Sequence, residues 1–158
     1  MARARAIKGL DAGQPFAEAA REIVAVRADE VLVQLRKLAR RADADAVHDV
    51  RVACRRLRAV LEIFEPCFEP KAHRRALAAV KGVGGDLGER RDLDVQRAFL
   101  AGLSSQASAR DQAGISALIE SMDDDVEAAE LKVKAVVEHA ADKQLLEVFA
   151  ALPGAVRG

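Results

Sequence analysis

Four residues set the chemistry of this chain. His48, Arg51, Arg55 and Arg58 recur at helical spacing. At about 100° per residue they fall within one arc of roughly 80°. Val50, Ala53, Cys54, Leu57, Val60, Leu61 and Phe64 fall on the other side. One helix would therefore have an apolar half and a half that is a row of guanidinium groups headed by an imidazole. Arginine presents a rigid fork that matches phosphate oxygens two at a time, so the row suits an extended polyanion. The same residues also make an ordinary solvated face, and residue types alone leave both readings open. Against the bland one, like charges at i,i+4 oppose a helix. Only Asp49 and, a turn beyond Arg58, Glu62 counter the row locally.

Other cations follow in sequence: Arg56, Lys71, His73, Arg74, Arg75, Lys81, Arg90, Arg91 and Arg97. Arg74 and Lys81, seven apart, share a helix face. Arg90 and Arg91 are expected at the start of a helix, where free N–H groups add to an anion site. Asp92 and Asp94 read as that helix's cap and first-turn acids, with Mg²⁺ bridged through phosphate as a secondary role. The chain carries 25 basic and 25 acidic residues, but unevenly. His48–Arg97 holds 11 Lys+Arg against 8 Asp+Glu, and residues 98–158 hold 5 against 10. A local positive field is thus compatible with overall neutrality.

Positioning such a row needs helices, and the pattern supplies them. Ala, Leu and Val dominate, Trp and Tyr are absent, and no segment alternates with period two. The expected class is all-α, an antiparallel bundle of about five helices with short connections. The first runs from Pro15 to about Arg41 with Phe16, Ala20, Ile23, Val24, Val31, Leu35 and Leu38 inward. The second, capped by Asp43 or Asp45, carries the row and ends near Pro66. A third starts at Pro70 and is weakened at its end by Gly82-Val83-Gly84-Gly85-Asp86-Leu87-Gly88. A short fourth covers about Asp92–Leu103, and one long helix covers about Ala109–Ala150, with a break possible at Ala140-Ala141-Asp142. The glycine run nearly matches a dinucleotide fingerprint, but its third glycine is one residue late and no strand precedes it. Close helix approach or a helix end explains it better. Domain limits follow: an N-terminal loop over 1–14, one bundle over 15–152 and a tail over 153–158.

No run of 18 apolar residues occurs, so no membrane span is expected. The basic N-terminus lacks an apolar signal core, which leaves a cytoplasmic location by default. Cys54 and Cys67 make no disulfide framework, and Cys54 is expected to be a packed thiol.

His48-Asp-Val-Arg51-Val-Ala-Cys-Arg55-Arg56-Leu-Arg58 resembles the signature of the CHAD family, the conserved histidine α-helical domain. A second element matches too: Lys81 before a glycine-containing stretch, then Leu87-Gly88-Glu-Arg90-Arg91-Asp92-Leu93-Asp94-Val95. The resemblance spans about residues 10–152. It implies a helical module that binds inorganic polyphosphate without catalysing a reaction and without a cofactor. It implies phosphate contacts at His48, Arg51, Arg55, Arg58, Lys81 and Arg91, with looser matches at Arg56, Lys71, Arg74, Arg75 and Arg90. A bound polyphosphate would favour protonated His48. Family members usually carry two such bundles facing across a basic channel, whereas this sequence carries one. The chain is then a fragment, or a homodimer rebuilds the pair by symmetry. The rival readings are a nucleic-acid-binding module, disfavoured because no aromatics interleave the row, and a phosphate-processing enzyme using Asp92 and Asp94 with Mg²⁺. A purely structural interaction module is the fourth.

Overall fold

The computed structural model describes residues 3–140 and 143–157, with the side chain of Ala140 excepted. The order is α1 (Phe16–Arg40), α2 (Ala44–Ile63), a 3-10 turn (Glu65–Cys67), α3 (Pro70–Ser104), α4 (Ala109–Glu120), α5 (Asp123–Ala140), α6 (Lys143–Ala150) and a second 3-10 turn (Leu152–Ala155). The all-α bundle expected from the pattern is what forms. No helix among the described residues is long and apolar enough to cross a membrane.

The first two helices follow the sequence closely. In α1, Ala20, Val24, Val31, Leu35 and Leu38 are buried, while Ile23 is half-buried. Phe16 is exposed and instead leans its ring on Phe64, centroids 4.9 Å apart. Asp43 is the cap of α2, its carboxylate accepting from the Ala46 N–H at 2.8 Å. All seven apolar positions read for α2 are buried. Cys54 is packed as expected, and burial pushes its thiol up to about 12. Both cysteines are free.

Two expectations fail. First, the glycine run does not end a helix. α3 is one helix of 35 residues that passes through Gly82, Gly84, Gly85 and Gly88 and absorbs the expected fourth helix. Each interior glycine costs roughly 1 kcal/mol relative to alanine. The core anchors Ala76, Val80, Val83 and Leu87 hold that stretch helical by burial. The near-fingerprint thus lies mid-helix.

Second, residues 109–150 are not one long helix. The chain turns at Ser121-Met122 between α4 and α5, where the Asp123-Asp124-Asp125 run sits favourably in the first turn of α5. Of the expected stripe, Met122, Ala129, Val133 and Val136 are buried, Leu118 is exposed and α4 buries nothing. The helical period is continuous through the turn, so periodicity could not show it. The possible break falls at Ala141-Asp142, outside the described residues.

Within the expected tail, residues 153–157 lie against the bundle. Leu152 and Val156 join the core, and Val156 forms an isolated antiparallel bridge with Phe68. The Arg157 N–H donates to the Cys67 carbonyl at 2.7 Å. At the other end, the Arg5 N–H donates to buried Glu30 Oε1 at 2.5 Å, and its guanidinium meets Asp29 at 2.6 Å. Part of the expected N-terminal loop is therefore fastened along α1.

A cationic groove between two antiparallel helices

α2 and α3 lie antiparallel with a register that specific contacts fix. His73 Nε2 is 2.9 Å from the Leu61 carbonyl at one end. A Cβ placed on Gly84 would stand 3.5 Å from Cys54 Cβ in the middle. Arg51 Nη1 donates to Asp92 Oδ1 at 3.2 Å toward the other end. The polar half of α2 therefore faces the solvent edge of α3 along three turns.

Between them opens a groove of about 690 Å³. Its walls carry His48, Arg51, Arg55 and Arg58 from α2 and Lys81 and Arg91 from α3. These are the six positions for which the family resemblance implied phosphate contacts. Lys81 and Arg91 are ten residues apart, close to three helical turns, so they share the face that looks across at the α2 row.

The floor was not foreseen. Val52, Cys54, Val80, Gly84, Gly85 and Val95 make it, with Asp92 at its edge. Gly84 would place a Cβ in ordinary contact with Cys54, and a Cβ on Gly85 would meet nothing within 4 Å. These glycines keep the groove empty more than they let backbones approach. The signal was available in their spacing, since Gly84 and Gly85 lie one turn beyond Lys81 on the same helix.

The cations differ in how they are neutralised. Arg51 pairs with Asp92, and Arg58 pairs with Glu62 at 2.8 Å. The Arg58 hydrogen bond holds the Glu62 carboxyl below the usual carboxylate range, helped by the charges of Arg58 and Lys81. Among the described residues, Arg55, Lys81 and Arg91 form no ion pair and the His48 side chain no hydrogen bond. The two ion pairs lie toward opposite ends, so the middle of the groove holds uncompensated positive charge. Confinement between low-dielectric walls strengthens that field.

Several candidates lie elsewhere. Arg90 is not at a helix start but inside α3, so it has no free N–H groups beside it. It is 22% exposed and engaged by Asp94 and, at 3.7 Å, by Glu130. Asp92 and Asp94 accordingly serve as ion-pair partners of Arg51 and Arg90, not as caps. Arg74 and Arg56 do not line the groove. His73 is buried, hydrogen-bonded to Leu61 and packed on Phe68, so it is a structural residue. Lys71 and Arg75 line a separate cavity against α6. Arg97 pairs with Asp123 at 3.0 Å.

The fold and this groove define an all-α helical bundle with a cation-lined cleft between two of its helices. The family model for the CHAD domain matches residues 14–157, and the chain belongs to that family. CHAD domains are associated with polyphosphate-related proteins. A comparison with curated proteins gives no significant match.

Proposed function

We propose that the groove binds inorganic polyphosphate and that the chain acts as a binding module without catalysing a reaction. One observation carries this reading. The row on α2 and two cations from a distant stretch of α3 converge on one open cleft, and four of these six side chains, those of His48, Arg55, Lys81 and Arg91, form no ion pair among the described residues. A structural charge network would be neutralised internally, whereas this cleft is left positive. Ion pairing with release of condensed counterions drives association. Each charge-assisted hydrogen bond contributes roughly 1.5–3 kcal/mol, against the ordering of chain and side chains.

Two features support the non-catalytic part. Asp92 and Asp94 are engaged by Arg51 and Arg90, which competes with their use as Mg²⁺ ligands. The groove lining includes no Phe, Tyr or Trp, so single-stranded nucleic acid finds no large stacking platform there. Free, buried Cys54 and Cys67 suit a reducing compartment, and the proposal includes a cytoplasmic location.

The test is calorimetric titration with long-chain polyphosphate, then competition by single-stranded DNA at equal phosphate concentration. Saturable binding that DNA displaces poorly is expected. Absence of binding at low salt, or equal displacement by DNA, contradicts the proposal. Orthophosphate release on incubation with Mg²⁺ contradicts the non-catalytic part.

A further inference from the structure

A second cleft, of about 410 Å³, opens between the first turns of α3 and the segment made by α6 and the second 3-10 turn. Backbone hydrogen bonds fix that segment in place. The Glu69 N–H donates to the Ala155 carbonyl at 3.1 Å, and the Arg157 N–H donates to the Cys67 carbonyl at 2.7 Å. Phe149 and Leu152 anchor it from beneath, both fully buried. The cleft is therefore pre-formed, as small-molecule sites generally are.

Two kinds of surface meet in it. Ala72, Val148, Ala151, Leu152 and Ala155 make an apolar floor. Lys71 and Arg75 stand on the α3 edge, four residues apart and so on one face of the helix. Neither forms an ion pair among the described residues. The two acids on the rim are already engaged. Glu69 accepts from the Ala72 N–H at 2.8 Å and lies 3.8 Å from Arg157. The N–H groups of Ala72 and Lys71 hold its carboxyl below the usual carboxylate range. Glu147 is 3.7 Å from Lys143. The start of α3 is thus filled by Glu69, and the side chains of Lys71 and Arg75 are what remain for an anion. A phosphate polymer, charged along its whole length, gains nothing from the floor beside them.

We propose that this cleft binds a small amphiphile with a carboxylate head and a single apolar tail. The Arg75 fork takes both oxygens of the carboxylate, and Lys71 adds a point charge. The tail lies along Val148 and Leu152, where it leaves water. At about 30 Å³ for each water-sized group, the cleft holds on the order of ten to fourteen non-hydrogen atoms. A doubly charged phosphate ester fits less well, because Glu69 and Glu147 on the same rim repel a second negative charge. The site is separate from the cationic groove, whose residues line the α2–α3 seam and are shared with none of these.

Octanoate, whose size matches that volume, is the probe. Methyl NMR on the full chain should show saturable shifts at Val148, Ala151 and Ala155, with half-saturation on the order of 1 mM or below. Octylammonium, with the same tail and the opposite charge, should bind about tenfold or more weakly. Arg75→Ala should weaken octanoate binding by about tenfold. Ala151→Phe, at an exposed position, should fill the cleft and abolish the shifts. Both variants should keep the helicity of wild type by circular dichroism. Long-chain polyphosphate should leave octanoate binding unchanged, whether or not it occupies the groove. Absence of shifts at about 10 mM octanoate, equal shifts with octylammonium, or an Arg75→Ala variant that binds like wild type overturns the proposal. So does displacement by polyphosphate, or tighter binding of hexyl phosphate than of octanoate, either of which would assign Lys71 and Arg75 to a phosphate ligand.

Discussion

Arg51 and Asp92 stand 3.2 Å apart across the α2–α3 seam, although 41 residues separate them in sequence. They are 34% and 67% exposed, so the pair contributes only about 0–1 kcal/mol to stability. Its effect on the groove is larger in consequence: the Asp92 carboxylate occupies the guanidinium that a phosphate would otherwise take.

Asp92→Asn removes that competing charge while keeping the side chain's size. Polyphosphate affinity is expected to rise by about 0.5–1 kcal/mol, the upper range for an exposed ion pair. The melting temperature should stay within a few degrees of wild type. Calorimetric titration of both proteins at one salt concentration checks this, and unchanged or weaker binding would show that Arg51 does not contact the ligand.

Gly85→Leu should separate folding from binding. A Cβ there meets nothing within 4 Å, and leucine favours a helix interior over glycine by about 0.5–1 kcal/mol. The variant is therefore expected to be as stable as wild type or slightly more so. Its side chain projects into the groove and should reduce polyphosphate binding by about tenfold or more, on the order of one lost charge-assisted contact. Thermal unfolding and titration on the same sample give both readings.

Cys54 links the groove floor to stability at alkaline pH. Burial holds its thiol protonated up to about 12, whereas an unfolded chain ionises it near 8.5. Between those values the folded state binds the extra proton, so stability falls as pH rises through that window. The loss has a limiting slope of about 1.4 kcal/mol per pH unit. Urea denaturation from pH 8 to 10 should show this slope in wild type and lose it in Cys54→Ala. Equal slopes would mean that the thiol ionises in the native protein.

Glu62 provides a check from the acid side. Its carboxyl is held low chiefly by the Arg58 hydrogen bond. A depressed carboxylate favours the folded state above the unfolded value near 4.3 and ceases to do so as pH falls through the folded value. Arg58→Ala is expected to move the Glu62 titration, followed by carboxyl carbon NMR, back toward the ordinary range. An unmoved titration would place the cause elsewhere.

How much of this was legible beforehand depends on which physical signal each element leaves. α1 and α2 were readable because a strong apolar period and the Asp43 cap agree there. The six groove cations were named in advance from the family resemblance, and their convergence follows from antiparallel packing of α2 on α3. Arg90 failed because its role depended on a helix start that does not exist. Glycine propensity argued for a break at Gly82–Gly88, and burial of Val83 and Leu87 outweighed it. The α4–α5 turn was invisible because the apolar period runs through Ser121-Met122 unchanged. The glycine floor was misread because an interior glycine is ambiguous until its neighbour across the seam is known.

The central claim is that uncompensated cations from both helices grip one polyanion. It is tested most directly by the salt dependence of polyphosphate binding in wild type, Arg55→Ala, Lys81→Ala and the double variant. Arg55 and Lys81 come from opposite walls and form no ion pair among the described residues. Each single change is expected to cost about 1–3 kcal/mol and to flatten the plot of log affinity against log salt concentration by nearly one released counterion. The double variant should lose about both increments. If all four proteins bind with the same affinity and the same salt slope, the groove is not the site.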